Sequence, residues 1–138
     1  MAETVTLQRD YPYSPERLFA AWTDVELLRQ WFGCGPGMLW TVHQWQVRPG
    51  GAIHVSLQFD AGPFEVRGEF LIVEPPHRLQ YRWSGDQTVD VTIEARDNGS
   101  RLTLMHTGLT DHERGFVDVG WTNALDQLGA LSLSEVVR

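Results

Sequence analysis

Lysine is absent from this sequence, and all eleven basic residues are arginines. The chain therefore cannot form the Schiff base of lysine-dependent enzymes, and it lacks the lysine of a phosphate-binding P-loop. Eighteen acidic residues give a formal net charge of −7, and no run of basic residues offsets them. Because nucleic acids and anionic membranes are bound largely through phosphate neutralisation, this charge balance argues against both as partners.

Cysteine and long apolar runs are also scarce. The single cysteine, Cys34, rules out an intrachain disulfide, which agrees with a reducing compartment. No apolar stretch approaches the ~20 residues of a membrane-spanning helix, and the N-terminus lacks the basic and apolar regions of a signal peptide. These absences predict a cytoplasmic protein without membrane insertion, and the length predicts a single domain over residues 1–138.

Helix signals occur at three places in the chain. Ser14 followed by Pro15 is typical of an N-cap and a first helical residue. Two capping boxes follow, at Thr23–Glu26 and at Thr110–Glu113, and each predicts the start of a further helix. The last helix presents Trp121 and Leu125 on its apolar stripe.

Strand signals fill the stretch from Leu39 to Thr107, where apolar and polar residues alternate, as from Phe64 to Ile72. This period of two predicts antiparallel strands with one covered and one solvated face, and short turn segments join them as a meander. The predicted class is α+β in the order β-α-α-β6-α. The aromatic residues on the predicted covered face are Trp45, Phe59, Phe64, Phe70, Tyr81 and Trp83.

Several landmarks occur in a fixed order along the chain. They are SPERLFAAW at 14–22, RPGG at 48–51, EPPHRLQYRW at 74–83, RLTLMHTG at 101–108, and Gly120-Trp121 before a leucine-rich tail. In this order the chain resembles the START-like (SRPBCC, Bet v 1-like) superfamily, in the branch of the heat-shock-protein-90 ATPase activator homologue 1-like proteins. The resemblance implies a helix-grip fold, in which a curved antiparallel sheet wraps around a long C-terminal helix with a cavity between them.

The covered aromatic face has two interpretations. Small-molecule sites are concave, mostly apolar and carry few polar groups, so these rings suit a ligand that is flat or apolar. Aromatic side chains also dominate ordinary cores, so the same rings could fill the interior. The candidate cavity residues are Trp45, Phe59, Phe64, Phe70, Tyr81, Trp83, His43, His106, Trp121 and Leu125.

Two histidines interrupt apolar patterns on faces that should be covered. His43 shares the predicted face of Trp45, and His106 shares that of Leu104. The resemblance places the first strand between their two strands, so both rings could reach one end of the cavity. A neutral histidine there could orient a carbonyl or act as a general base, or it could be a buried side chain satisfied by hydrogen bonds.

Other chemistry finds little support in the sequence. The five histidines are scattered, and neither Cys-x-x-Cys nor His-Glu-x-x-His occurs, so the sequence predicts neither a metal site nor a cofactor. Cys34 lies in a glycine-rich segment without a predictable base beside it, which favours a spare thiol.

Three functions remain open. The leading hypothesis is a protein that binds a small hydrophobic or aromatic ligand between the sheet and the last helix. The first alternative is an enzyme of the polyketide cyclase or aromatase kind, with His43, His106 and Tyr81 as its catalytic candidates. The second is a co-chaperone-like regulator of the heat-shock-protein-90 ATPase, and a homodimer is compatible with any of the three.

Overall fold

The computed structural model describes residues 3–32, 39–59 and 62–131, and within these ranges it leaves the side chains of residues 39, 40, 59, 62 and 63 undescribed. The elements, in chain order, are β1 (Glu3–Tyr11), α1 (Pro15–Thr23), α2 (Val25–Trp31), β2 (Leu39–Trp45), β3 (Ala52–Phe59), β4 (Gly62–Glu74), β5 (Arg78–Arg82), β6 (Thr88–Arg96), β7 (Gly99–Leu109) and α3 (Asp111–Gly129). This order confirms the predicted β-α-α-β6-α arrangement.

The seven strands form one antiparallel sheet in the order β1-β7-β6-β5-β4-β3-β2. Strands β2 to β7 follow one another as a meander because short turns connect most of them. The expectation that β1 lies between β2 and β7 is wrong: among the described residues β1 pairs with β7, β2 pairs with β3, and the two lie at opposite edges.

Local sequence signals explain where the helices begin. The Ser14 side chain accepts a hydrogen bond from the Arg17 amide at the start of α1, and α3 opens on the predicted capping box of Thr110 and Glu113. The predicted box at Thr23 is wrong by one residue. Thr23 ends α1, and the carboxylate of Asp24 caps α2 instead.

One face of the sheet packs against the three helices, and we call it the inner face. The core lies between this face and the helices. Alternation supplies the strand side of this core, since every second residue of a regular strand points to the same face. Buried strand residues include Ile53, Val55, Val66, Phe70, Leu79, Tyr81, Val91, Leu102 and Leu104. The helices add Leu18, Trp22, Leu28, Trp31, Trp121, Ala124, Leu125 and Leu128.

Two tyrosines attach the C-terminal end of α3 to the rest of the protein. The Tyr11 hydroxyl donates to the Leu125 carbonyl oxygen at 2.8 Å. The Tyr13 hydroxyl lies 3.0 Å from the carbonyl oxygen of Leu128 and 2.6 Å from the carbonyl oxygen of Leu131. Leu128 and Leu131 lie at and just beyond the end of α3, where the regular hydrogen-bond ladder of the helix stops, so the Tyr13 hydroxyl adds a bond at that point.

Replacing Tyr13 by phenylalanine should lower the free energy of unfolding by about 1 kcal/mol, because the substitution removes a buried hydrogen bond and keeps the ring. Urea denaturation followed by circular dichroism measures the change. Tyr81→Phe is the matched control, because the Tyr81 hydroxyl has no partner and its loss should not destabilise the fold. Equal losses of stability in both variants would contradict this assignment.

Among the described residues, no helix is both long enough and apolar enough to cross a membrane.

Candidate functional site

Eight aromatic rings meet between the sheet and the helices, and we call this group the aromatic cluster. Neighbouring rings have centroids 4.7 to 6.3 Å apart and meet mostly at steep angles. Such edge-to-face contacts suit the quadrupoles of aromatic rings. The members are Trp22, Trp31, Phe32, Trp45, Phe70, Tyr81, Trp83 and Trp121.

The structure brings together most of the cavity residues that the sequence predicts. Trp45, Phe70 and Tyr81 are buried on the inner face of the sheet, and half-buried Trp83 packs beside them. Leu125 of α3 is also buried in the core. The placement of these side chains is therefore as predicted, while their role in binding stays a prediction.

The helices contribute three cluster members that the sequence reasoning missed as site residues. Trp22 ends the buried stripe of α1, Trp31 belongs to α2, and Phe32 caps α2 at its C-terminus. Helical spacing in the sequence marks Trp22 and either Trp31 or Phe32 as facing inward, so part of the signal was present. Helical spacing indicates only that a residue is buried. Which other rings these three side chains contact depends on how the helices pack on the sheet.

Phe64 lies on the inner face of the sheet but does not join the cluster. It pairs with Leu57 on the same face of the sheet, yet its side chain is 48% exposed. Phe64 lies near the end of the β3–β4 hairpin, two residues after β4 begins. The side chain of Phe59 and the whole of Cys34 lie outside the described residues.

His106 is a buried histidine whose two ring nitrogens both have partners. The Trp121 indole N–H donates to Nδ1 at 2.9 Å, so Nδ1 carries no proton and Nε2–H donates to Gln87 Oε1 at 2.8 Å. Burial lowers the pKa of His106 to about 4, although the nearby Glu113 charge opposes this. The ring is therefore neutral at pH 7 and has no free lone pair to abstract a proton.

His43 lies on the outer, solvated face of the sheet, so its predicted place beside Trp45 is wrong. Its ring is exposed, and Nε2 lies 2.7 Å from Ser56 Oγ. His106 is on the covered face and belongs to β7, near the opposite edge. The structure does not bring the two histidines together.

A β-bulge in β2 causes the difference. Val42 and Gln44 pair with consecutive residues of β3, so His43 is an extra residue without a partner in the register. Such a bulge shifts the alternation by one position and re-aims the side chain at the bulge. Val42 and Trp45 therefore both pack toward the core, and His43 turns outward.

On the outer face, His43 belongs to a small polar group with Ser56, His54 and Glu65. The Ser56 hydroxyl donates to Glu65 Oε2 at 2.7 Å, and His54 Nε2 lies 2.6 Å from Glu65 Oε1. The hydrogen bonds from Ser56 and His54 hold the pKa of the Glu65 carboxyl below its usual range. The expectation that the histidines are too scattered to form a set is wrong for these two.

Two polar atoms inside the aromatic cluster have no hydrogen-bond partner. Among the residues that the structure describes, Trp22 Nε1 and Tyr81 Oη are the fully buried side-chain polar atoms of this kind. Burial alone raises the pKa of Tyr81 well above its usual value, so its hydroxyl stays protonated. The other buried indole N–H groups all have acceptors: Trp31 donates to Ala21 O at 2.9 Å, Trp45 to Trp22 O at 2.8 Å, and Trp121 to His106.

Comparison with known proteins identifies the fold. The sequence pattern of the family described as activator of Hsp90 ATPase homolog 1-like protein matches residues 12–132. Protein CV1439 from Chromobacterium violaceum is 28% identical, with a TM-score of 0.85 over 93% of this chain and 96% of that chain. No curated protein matches the sequence.

Two further solved structures are similar. CalU16 from Micromonospora echinospora is 26% identical, with a TM-score of 0.73 over 94% of this chain and 75% of that chain. The AHSA1-like protein from Aeromonas hydrophila is 20% identical, with a TM-score of 0.78 over 93% of this chain and 90% of that chain. The matching structures confirm the helix-grip architecture that the family resemblance implies.

Proposed function

The chain belongs to the activator of Hsp90 ATPase homologue 1-like family, and from that premise we propose that it binds a small aromatic molecule carrying an acceptor oxygen. The family and its START-like fold support ligand binding or cyclase-like chemistry in general, and the finer proposal rests on the residues of this chain. The proposed site is the aromatic cluster between the sheet and the helices.

The walls of the cluster set the class of ligand. Its rings come from three strands and all three helices, so a molecule held among them meets aromatic faces and edges on several sides. A flat, apolar molecule recovers dispersion and edge-to-face contacts in such surroundings.

The observation that carries the proposal is the pair of unpartnered polar atoms. A buried donor without an acceptor costs about 1–3 kcal/mol, and most buried polar groups in proteins avoid this cost. The indole N–H of Trp22 can only donate, and the hydroxyl of Tyr81 can donate as well, so one carbonyl or ether oxygen suits both. The two rings lie beside each other, with centroids 6.3 Å apart.

The positions of the catalytic candidates favour binding over cyclase-like chemistry. Both nitrogens of His106 are engaged, and His43 lies on the outer face. The high pKa of the Tyr81 hydroxyl suits a hydrogen-bond donor rather than a base. A co-chaperone would need a contiguous exposed apolar patch, and on the sheet the exposed Leu71 and Met105 lie on β4 and β7, with β5 and β6 between them.

Tyr81→Phe provides the test, because it should change stability and binding in opposite directions. Removing an unpartnered buried hydroxyl should raise the free energy of unfolding of the ligand-free protein by about 1 kcal/mol and Tm by about 4 °C. The same change should remove the preference for a ligand with an acceptor oxygen. Calorimetric titration with 1-acetylnaphthalene and with 1-ethylnaphthalene, which has a similar shape but no oxygen, measures that preference.

The wild-type protein should bind the ketone about tenfold more tightly than the hydrocarbon, since a recovered buried hydrogen bond is worth about 1.4 kcal/mol. Tyr13→Phe is the control and should keep the preference, because its hydroxyl is bonded to the end of α3. An unchanged preference in Tyr81→Phe would contradict the proposed role of this hydroxyl. Native mass spectrometry of protein purified from its own cells would then show whether any molecule accompanies the chain.

A further inference from the structure

We propose that His43, His54 and Glu65 form a binding site for a divalent transition-metal ion, of which Zn²⁺ is the typical case, on the outer face of the sheet. One donor atom from each side chain can be chosen so that all three lie within 4.8 Å of one another. The site is on the opposite face from the aromatic cluster and does not depend on the proposed ligand.

The sheet register assembles the three side chains from neighbouring strands. His54 is on β3 and Glu65 is on β4, where Glu65 pairs directly with Ser56. Residues two apart on a strand share a face, so His54 and Ser56 both point outward, next to Glu65. Diagonal neighbours on one face of a sheet are close enough for long side chains to meet.

The third residue, His43, lies at the bulge in β2. Val42 faces the core, so alternation turns the next residue, His43, outward above β3, and the extra residue then returns Trp45 to the core. The rings of His43 and His54 then lie with their centroids 4.4 Å apart and tilted by 32°. Bulges are enriched next to functional sites, where they re-aim single side chains.

The existing hydrogen bonds hold the donor atoms in place. Ser56 bridges the group, because its hydroxyl oxygen lies 2.7 Å from His43 Nε2 and its proton is donated to Glu65 Oε2. His54 Nε2 lies 2.6 Å from the other carboxylate oxygen. In both rings Nε2 faces the carboxylate side, so a shift of the proton to Nδ1 would free each Nε2 lone pair for a metal.

The donor set selects the class of ion. Two imidazole nitrogens and one carboxylate oxygen suit Zn²⁺, Co²⁺, Ni²⁺ or Cu²⁺, whereas Ca²⁺ and Mg²⁺ prefer oxygen ligands alone. Zn²⁺ binds nitrogen and oxygen ligands at about 2.0–2.2 Å, so small side-chain rotations bring the three atoms around one ion. Three protein ligands leave a further position for water, and the net charge of −7 attracts cations generally.

Titration of the untagged protein with Zn²⁺, monitored by calorimetry and by competition with a chromophoric chelator, tests the site. We expect one Zn²⁺ per chain, and at least about a tenfold loss of affinity in each of His43→Gln, His54→Gln and Glu65→Gln. These side chains lie on the solvated face, so circular dichroism should show that all three variants remain folded. His112→Gln is the matched control, because His112 is exposed on α3, and it should bind like the wild type.

Two further readouts separate a specific site from loose surface binding. Zn²⁺ should raise the Tm of the wild type by several degrees and leave that of His54→Gln unchanged, while Mg²⁺ and Ca²⁺ should raise neither. Co²⁺ should give visible absorption bands of a low-coordinate site that disappear in Glu65→Gln. Absence of saturable Zn²⁺ binding, wild-type affinity in the three site variants, or a loss of affinity in His112→Gln would overturn the proposal.

Discussion

The free energy of unfolding should fall by about 3 kcal/mol between pH 7 and pH 4 because of one buried histidine. The pKa of His106 is about 4 in the folded protein, against 6.5 for a free histidine. Below pH 6.5 the unfolded chain therefore takes up a proton that the folded protein cannot accept until about pH 4. Each unit of difference in pKa is worth about 1.4 kcal/mol of unfolding free energy. The stability that neutral His106 allows is therefore fully present above pH 6.5 and is lost as the pH falls toward 4.

Urea denaturation at several pH values, on the wild type and on His106→Gln, measures this contribution. Other titrating groups contribute to both proteins, so the difference between the two unfolding free energies isolates His106. That difference should shrink by about 3 kcal/mol from pH 7 to pH 4. His112→Gln should follow the wild type throughout, and parallel profiles for wild type and His106→Gln would show that the histidine is not held neutral by the fold.

Gly68→Ala should destabilise the protein by about 3 kcal/mol or more. A Cβ atom at Gly68 would lie 1.8 Å from the backbone oxygen of Arg82, which is part of the neighbouring strand β5. Neither atom belongs to a flexible side chain, so the strands β4 and β5 would have to separate. Overpacking of this kind costs about 1–3 kcal/mol even where side chains can adjust.

Gly115→Ala is the matched control, since it adds the same methyl group to an open position. Nothing lies within 4 Å of a Cβ at Gly115, which is exposed on α3. Alanine has a higher helix propensity than glycine, so this variant should gain about 1 kcal/mol. Thermal unfolding of both variants measures the contrast, and a stable Gly68→Ala protein would show that β4 and β5 can move apart at little cost.

Alternation in the sequence predicted the sheet correctly wherever the ladders are regular. The pairs β3–β4, β5–β6 and β6–β7 have no register shift, and the buried residues of β5 and β6 all lie at positions that the pattern indicates, although Ala95 at the end of the pattern is exposed. Alternation failed at bulges, because an extra residue reverses the face of every residue that follows it in the strand, and the sequence pattern before the bulge gives no sign of this. After the bulge that follows Phe70, Val73 packs against the core in the place expected for Ile72.

The candidate site was only partly predictable. The pattern indicates correctly that His106 is covered, but its partner Trp121 comes from a helix whose rotation against the sheet depends on packing. The unpartnered state of Trp22 and Tyr81 is likewise a property of three-dimensional packing, since other tryptophans in the same cluster do find acceptors. The type of a side chain and its place in the sequence pattern indicate whether a polar group enters the core. Whether that group then has a hydrogen-bond partner depends on its distance from other groups in the folded protein.

The bulge in β2 also bears on how the protein behaves among copies of itself. β2 is an edge strand, and an edge with a regular row of free N–H and C=O groups can template pairing with another chain. The extra residue at His43 bends the strand and interrupts that row midway along its seven residues. The inserted residue therefore makes this edge of the sheet a poorer template for pairing with another chain. Deleting it would give an incoming strand a straight, unbroken edge.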